Sequence, residues 1–178
     1  MAQGVCRVPA QSLLPVGRFA ITEVNPFPAG GVTDGEWIEI TNFSADPVDL
    51  KDWTLDFNAA AMPLTFSSNV VVPANGRLLL GQSATAGDGL TVGHVYGNTV
   101  KLPDLVGAVS LKYQNAAYST LRWTAADVSL GTSVQQDAPK ENMLYAAGRE
   151  ALSCPGVATY GAFNQRGTPG TANSPCFP

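Results

Sequence analysis

The sequence predicts an all-β fold, a sandwich or barrel of short antiparallel strands, on three observations. Gly 18 and Pro 13 among 178 residues supply many turns. The apolar segments between those turns are short and alternate with a period of two, as half-buried strands do. Turn signals recur about every 8–12 residues, the spacing of sandwich and barrel strands. Apolar residues make up 45% of the chain and charged residues 13%, which favours a packed core over disorder.

Three regions follow from composition. Residues 1–17 form an irregular lead-in, 18–126 carry the strand pattern, and 127–178 form a long irregular C-terminal arm packed on the same domain. "RFAITEVNP" opens the strand region with Phe19 and Ile21 on one face, while Val24 falls out of phase before Asn25-Pro26. After a Gly/Pro loop, "EWIEITN" places Ile38 and Ile40 inward and Trp37, Glu39 and Thr41 on the other face. "VDLKDWTLDF" places Trp53, Leu55 and Phe57 on the core face, with Thr54 and Asp56 opposite. Short strands are expected in "MPLTF" and "NVVV". A buried strand follows the "PANG" turn at Arg77–Gly81, and others lie in "GHVYG", "GAVSLKY" and "YSTLRWTA". Ala138–Leu152 has the composition for two to three helical turns but irregular apolar spacing. The arm is rich in Gly, Pro, Ser, Thr, Asn and Gln and contains the turn signal "GTPGTAN".

Charge and hydropathy exclude two function classes. The net charge is -4, and the ten Lys and Arg form no cluster. A nucleic-acid interface needs a basic stripe to displace counterions from phosphates, so no nucleic-acid partner is expected. No apolar run approaches the roughly 20 residues that span a bilayer, so no membrane insertion is expected. The N-terminus "MAQGVCRVPAQ" has no hydrophobic signal core, which fits a cytosolic start or a mature chain equally. The cysteines argue for the second. Cys154 and Cys176 flank the end of the turn-rich arm, and linking them would limit the unfolded arm by about 3 kcal/mol. A Cys154–Cys176 bridge is therefore expected, with Cys6–Cys176 as the rival, in a secreted or cell-surface protein.

The ordered set "ITEVNP", "EWIEITN", "VDLKDWTL", "VVVPANGRLLLG" and "GAVSLK" resembles the lamin tail domain family, in particular its bacterial secreted members. "GTPGTANSPC" resembles the TPG-x-x-N ending of those members. The resemblance covers Phe19 to Trp123 and the terminal motif. It implies an immunoglobulin-like sandwich that serves as an interaction module, with no catalytic residues to carry over. Lys51 and Asp52 stand where a Ser-Gly turn is frequent, and the Cys6 lead-in lies outside the pattern.

The candidate site is an acidic cluster. Asp34, Glu36, Glu39, Asp46, Asp49, Asp52 and Asp56 are half of the fourteen acids in the chain. Such carboxylates can hold a cation through oxygen ligands or do acid–base chemistry. Strand alternation instead sends Glu39 and Asp56 to solvent faces, where neutralising both should change stability by about 0.5 kcal/mol or less. Asp34, Glu36, Glu39 and Asp56 are then a weak binding surface. Asp34 and Glu36 are the pair that would hold calcium, in a loop with no EF-hand spacing. No other cofactor is expected. His94 is the only histidine; it lacks cysteine partners for zinc and a nucleophile elbow at Ser83. Asn42 heads a formal glycosylation sequon, "NFS". Two readings remain: a non-catalytic extracellular module that binds a protein, glycan or surface component, and a metal-dependent hydrolase, or its accessory domain, using Asp34–Asp56.

Overall fold

The computed structural model describes residues 19–30, 34–57, 63–138 and 153–176. In chain order the strands are β1 (Phe19–Asn25), β2 (Trp37–Asn42), β3 (Val48–Asp49), β4 (Thr54–Phe57), β5 (Leu64–Thr65), β6 (Val71–Val72) and β7 (Arg77–Gly81). They continue with β8 (His94–Val95), β9 (Gly107–Tyr113), β10 (Ala116–Trp123), β11 (Val134–Gln136), β12 (Ser153–Pro155), β13 (Thr159–Tyr160) and β14 (Gln165–Arg166). No α-helix occurs among the described residues. The expected lead-in, Cys6 and all of the expected helix beyond Ala138 lie outside them.

A six-stranded sheet, β12-β11-β1-β2-β7-β8, packs on a four-stranded sheet, β10-β9-β4-β5. One apolar cluster joins them: Ile21, Val24, Ile38, Ile40 and Leu80 from the first sheet meet Trp53, Leu55, Phe57, Val109, Leu111 and Leu121 from the second. The expected core residues Ile38, Ile40, Trp53, Leu55 and Phe57 are all fully buried. Trp53 is their hub. It meets Phe19 edge-on at 5.6 Å between ring centroids and lies 5.3 and 4.8 Å from the rings of Tyr113 and Tyr118.

Val24 reaches the core despite its phase because β1 is bulged. Pairing with β2 slips between Ile21 and Glu23, which leaves Thr22 as the extra residue. A bulge adds one residue to one strand and turns the remainder by one position. Phe19, Ile21 and Val24 thus all join the core, while Thr22 and Glu23 both turn to the opposite face.

Two expectations need correction. The arm is more regular than its composition suggests. Its β11 pairs with β1 inside the six-stranded sheet and β12 extends the edge, while β13 and β14 form a hairpin. Irregular composition did not prevent this, because a three-residue strand needs no alternating pattern when it inserts beside a formed one. Glu39, expected on a solvent face, is fully buried, as is every residue of β2. Alternation does send Glu39 away from the sandwich core. The C-terminal segment then covers that outer face, so pointing out of the core is not pointing into water.

Candidate functional site

The acidic cluster is dispersed by the fold. Asp34 lies in the loop before β2, partly exposed, and accepts a hydrogen bond from Asn98 Nδ2 at 2.8 Å. Glu36 is buried and accepts the Leu102 amide at 2.7 Å. Burial pushes its carboxyl up to about 7, against the opposing pull of that amide. Asp49 accepts the amides of Lys51 and Val70, at 3.0 and 3.1 Å. Asp52 occupies a turn with φ 68, and Asp46 is exposed. Asp56 projects from β4 and is ion-paired with Lys112 of β9 on the outer face of the four-stranded sheet. Of the four expected surface binders, Asp34 and Asp56 are partly exposed and Glu36 and Glu39 are not. Among the described residues no three His, Cys, Asp or Glu side chains gather where they could hold a metal ion.

Glu39 belongs instead to a polar layer between the six-stranded sheet and the chain's last segment. Its Oε1 accepts from Arg77 Nη1 at 2.6 Å and from Thr22 Oγ1 at 2.7 Å. Its Oε2 accepts the amide of Gly170 at 2.6 Å. Glu23, its cross-strand partner in the β1–β2 register, is equally buried. Glu23 Oε1 receives the Ser133 hydroxyl and, at 2.9 Å, the Thr168 amide; Oε2 lies 3.1 Å from Thr168 Oγ1. The Arg77 guanidinium is ion-paired with Glu39, and Glu23 lies beside that pair with hydrogen-bond donors from Ser133 and Thr168. Burial, then the Glu39 charge, push Glu23 up to about 7. Burial also raises Glu39, with Arg77 the largest opposing influence.

The "GTPGTAN" stretch is built for this layer. Thr168-Pro169-Gly170-Thr171 closes a turn through Thr171 N–H to Thr168 C=O at 3.0 Å. Gly170 has φ 81, as the third residue of a Pro-Gly type II turn requires. That turn aims the Gly170 N–H at Glu39. Gly167 must lack a side chain, since a Cβ there would lie 2.5 Å from Glu23 Oε1. Asn173 Nδ2 then donates to the Thr22 and Gln136 carbonyls, both at 2.9 Å, tying the segment to β1 and β11. Beside it, Asp88 accepts the amides of Ala162 and Phe163 and holds the β13–β14 hairpin. Trp37 and Asn25 both donate to Tyr160 of that hairpin. Cys154 on β12 is bonded to Cys176, as expected, and closes the arm.

Sequence reasoning missed Glu23, Arg77, Asp88, Ser133, Gln165 and Thr168 as a working group. Each alone is an ordinary polar residue in a strand or turn. The one available signal was "GTPGTAN", whose rigid turn implies a fixed seat. The remaining candidates are unremarkable structurally. His94 packs on Phe66 with ring centroids 5.5 Å apart, and burial lowers its pKa. Asn42 is fully buried, with Nδ2 donating to the Asp46 and Pro73 carbonyls, so in the folded chain its amide is closed to glycosylation.

The fold and this sealed polar layer define an immunoglobulin-like β-sandwich. The lamin tail domain family model matches residues 15–150, and the chain belongs to that family. The matched residues include both packed sheets except β12, and stop short of the disulfide and the Thr168–Asn173 clasp. A search of curated proteins finds no match.

Proposed function

We propose that this chain is a non-catalytic interaction module of secreted bacterial type that works outside the cytoplasm and holds a protein, glycan or surface component. The observation that carries this reading is the unequal treatment of the two sheets. The outer face of the six-stranded sheet is covered, by the arm over Glu23 and Glu39 and by Ala86, Leu90 and Val92 with Tyr160 over Trp37 and Leu79. The outer face of the four-stranded sheet presents Thr54, Asp56, Ser110, Lys112, Thr120 and Arg122, each partly or fully exposed. Ser110 and Thr120 are hydrogen-bonded across β9 and β10 at 2.8 Å, which fixes the hydroxyls in a flat array. An array of short hydroxyls between opposite charges suits a polar partner. The Cys154–Cys176 bond supports an oxidising compartment. The same acids read as a hydrolytic centre find no support, because they lie on different elements with separate partners.

Retention of surface extract and of a glycan array on the immobilised protein tests the proposal. Thr54→Arg with Thr120→Arg is expected to abolish retention while shifting stability by no more than about 0.5 kcal/mol, as surface changes do. Retention unchanged by that double variant would move the interface elsewhere. A hydrolytic activity lost on Asp34→Asn or Asp56→Asn would replace the proposal with the enzymatic reading. Melting with and without calcium belongs in the same experiment, because an ion held at Asp34 and Glu36 raises the melting temperature by mass action.

A further inference from the structure

We propose that the C-terminal arm is a proton-dependent clasp, in which a proton carried by the Glu23 side chain joins segment 167–173 to the six-stranded sheet and its loss releases that segment from a still-folded sandwich. The hydrogen-bond geometry has a place for an extra proton. Thr168 Oγ1 lies 3.1 Å from Glu23 Oε2, 3.1 Å from Asn173 Oδ1 and 3.4 Å from Gln135 Oε1. Both amide orientations are fixed by their nitrogens, Asn173 Nδ2 on two carbonyls and Gln135 Nε2 on the Ser174 carbonyl at 2.7 Å. Three oxygens therefore face a hydroxyl that owns one proton. A proton on Glu23 Oε2 turns one of these acceptors into a donor to Thr168 Oγ1, and frees the threonine proton for an amide oxygen. Glu23 Oε1 keeps its two donors throughout.

The charges around Glu23 agree. Glu39 faces it from β2, and Arg77 of β7 is already bonded to Glu39. Tyr160 of β13 and Asp88 lie close enough to interact with one another, and Tyr160 also with Glu23, but neither supplies a cation. Arg166 of β14 is exposed. Ser133 just before β11, Gln135 within it, and Thr168 and Asn173 of segment 167–173 are all uncharged. Ionised Glu23 would be a second buried negative charge beside Glu39, and among the described residues the ion pair of Arg77 is with Glu39. Release is bounded, because segment 167–173 lies inside the loop closed by Cys154–Cys176 and opens as a tethered flap.

The sign follows from a carboxyl raised from 4.5 to about 7 in the closed state. The closed clasp is most stable below about 4.5, weakens as pH rises, and has lost this contribution above about 7. Hydrogen exchange of the Thr168 and Gly170 amides in the full chain, corrected for intrinsic rates, is the test. Opening is expected to rise about tenfold per pH unit across that window and then level off. Glu23→Gln reproduces the protonated form, with Oε1 accepting and Nε2 donating to Thr168, and is expected to keep the Thr168 amide protected at neutral pH, the pH dependence that remains coming from Glu39 at Gly170. Wild-type protection that is flat with pH, or a Glu23→Gln variant that follows the wild-type curve, would overturn the proposal. Should the variant fail to fold, carbon-13 titration of the wild-type carboxyls decides: a Glu23 midpoint near 7 supports the clasp, and one in the ordinary glutamate range refutes it.

Discussion

Glu39→Ala is expected to destabilise the protein by about 3–5 kcal/mol, the cost of removing one partner from a buried ion pair. Arg77, 14% exposed, would lose the carboxylate that lies 2.6 Å from its guanidinium and keep the uncharged Thr22 and Thr41 hydroxyls beside it. The Gly170 amide and the Thr22 hydroxyl would lose their acceptor as well. Asp56 gives the contrast. Its partner Lys112 is 31% exposed and Asp56 itself 37%, so Asp56→Asn is expected to cost about 1 kcal/mol or less, as for a surface pair. Alternation alone assigns the two acids the same small effect, so denaturant unfolding of the two single variants separates the pictures. Equal, small losses would show that the arm does not cover Glu39.

The second large effect is expected at Trp53. Trp53→Ala should cost about 3–5 kcal/mol by leaving a cavity that neighbouring side chains fill only in part. Four features set the size. The indole is fully buried, and three aromatic rings pack around it within 6 Å. Those rings come from β1, β9 and β10, so both sheets lose a contact. The indole N–H meets no acceptor among the described residues, so packing and not hydrogen bonding is what the substitution removes. A loss below about 1 kcal/mol on unfolding would place Trp53 outside the core.

The strands whose two faces differ in polarity were legible in sequence. Arg77–Gly81 and Gly107–Tyr113 appear where their apolar runs and flanking turns put them. Trp53, Leu55 and Phe57 follow a period of two into the core. Val24 was legible only as an anomaly; the bulge at Thr22 that explains it depends on pairing with β2, which no local pattern encodes. The polar layer was not legible for a related reason. Period-two alternation says which side of a sheet a residue occupies, and nothing about what covers that side. Glu39 reads as solvent-facing because the residue that meets its carboxylate, Gly170, lies 131 positions later. The Cys154–Cys176 pair was readable because its argument, tying a turn-rich arm, needed only short-range spacing.

Carboxyl labelling of the folded protein with a water-soluble carbodiimide and an amine, read residue by residue by mass spectrometry, tests most directly whether the acids are structural. Exposed Asp46, Asp52 and Asp104 are expected to react readily, while Glu23 and Glu39 stay unmodified until the protein is unfolded. Modification of Glu39 in the folded protein at the rate of Asp52 would contradict the sealed layer, and with it the structural role of the Glu23–Glu39 pair.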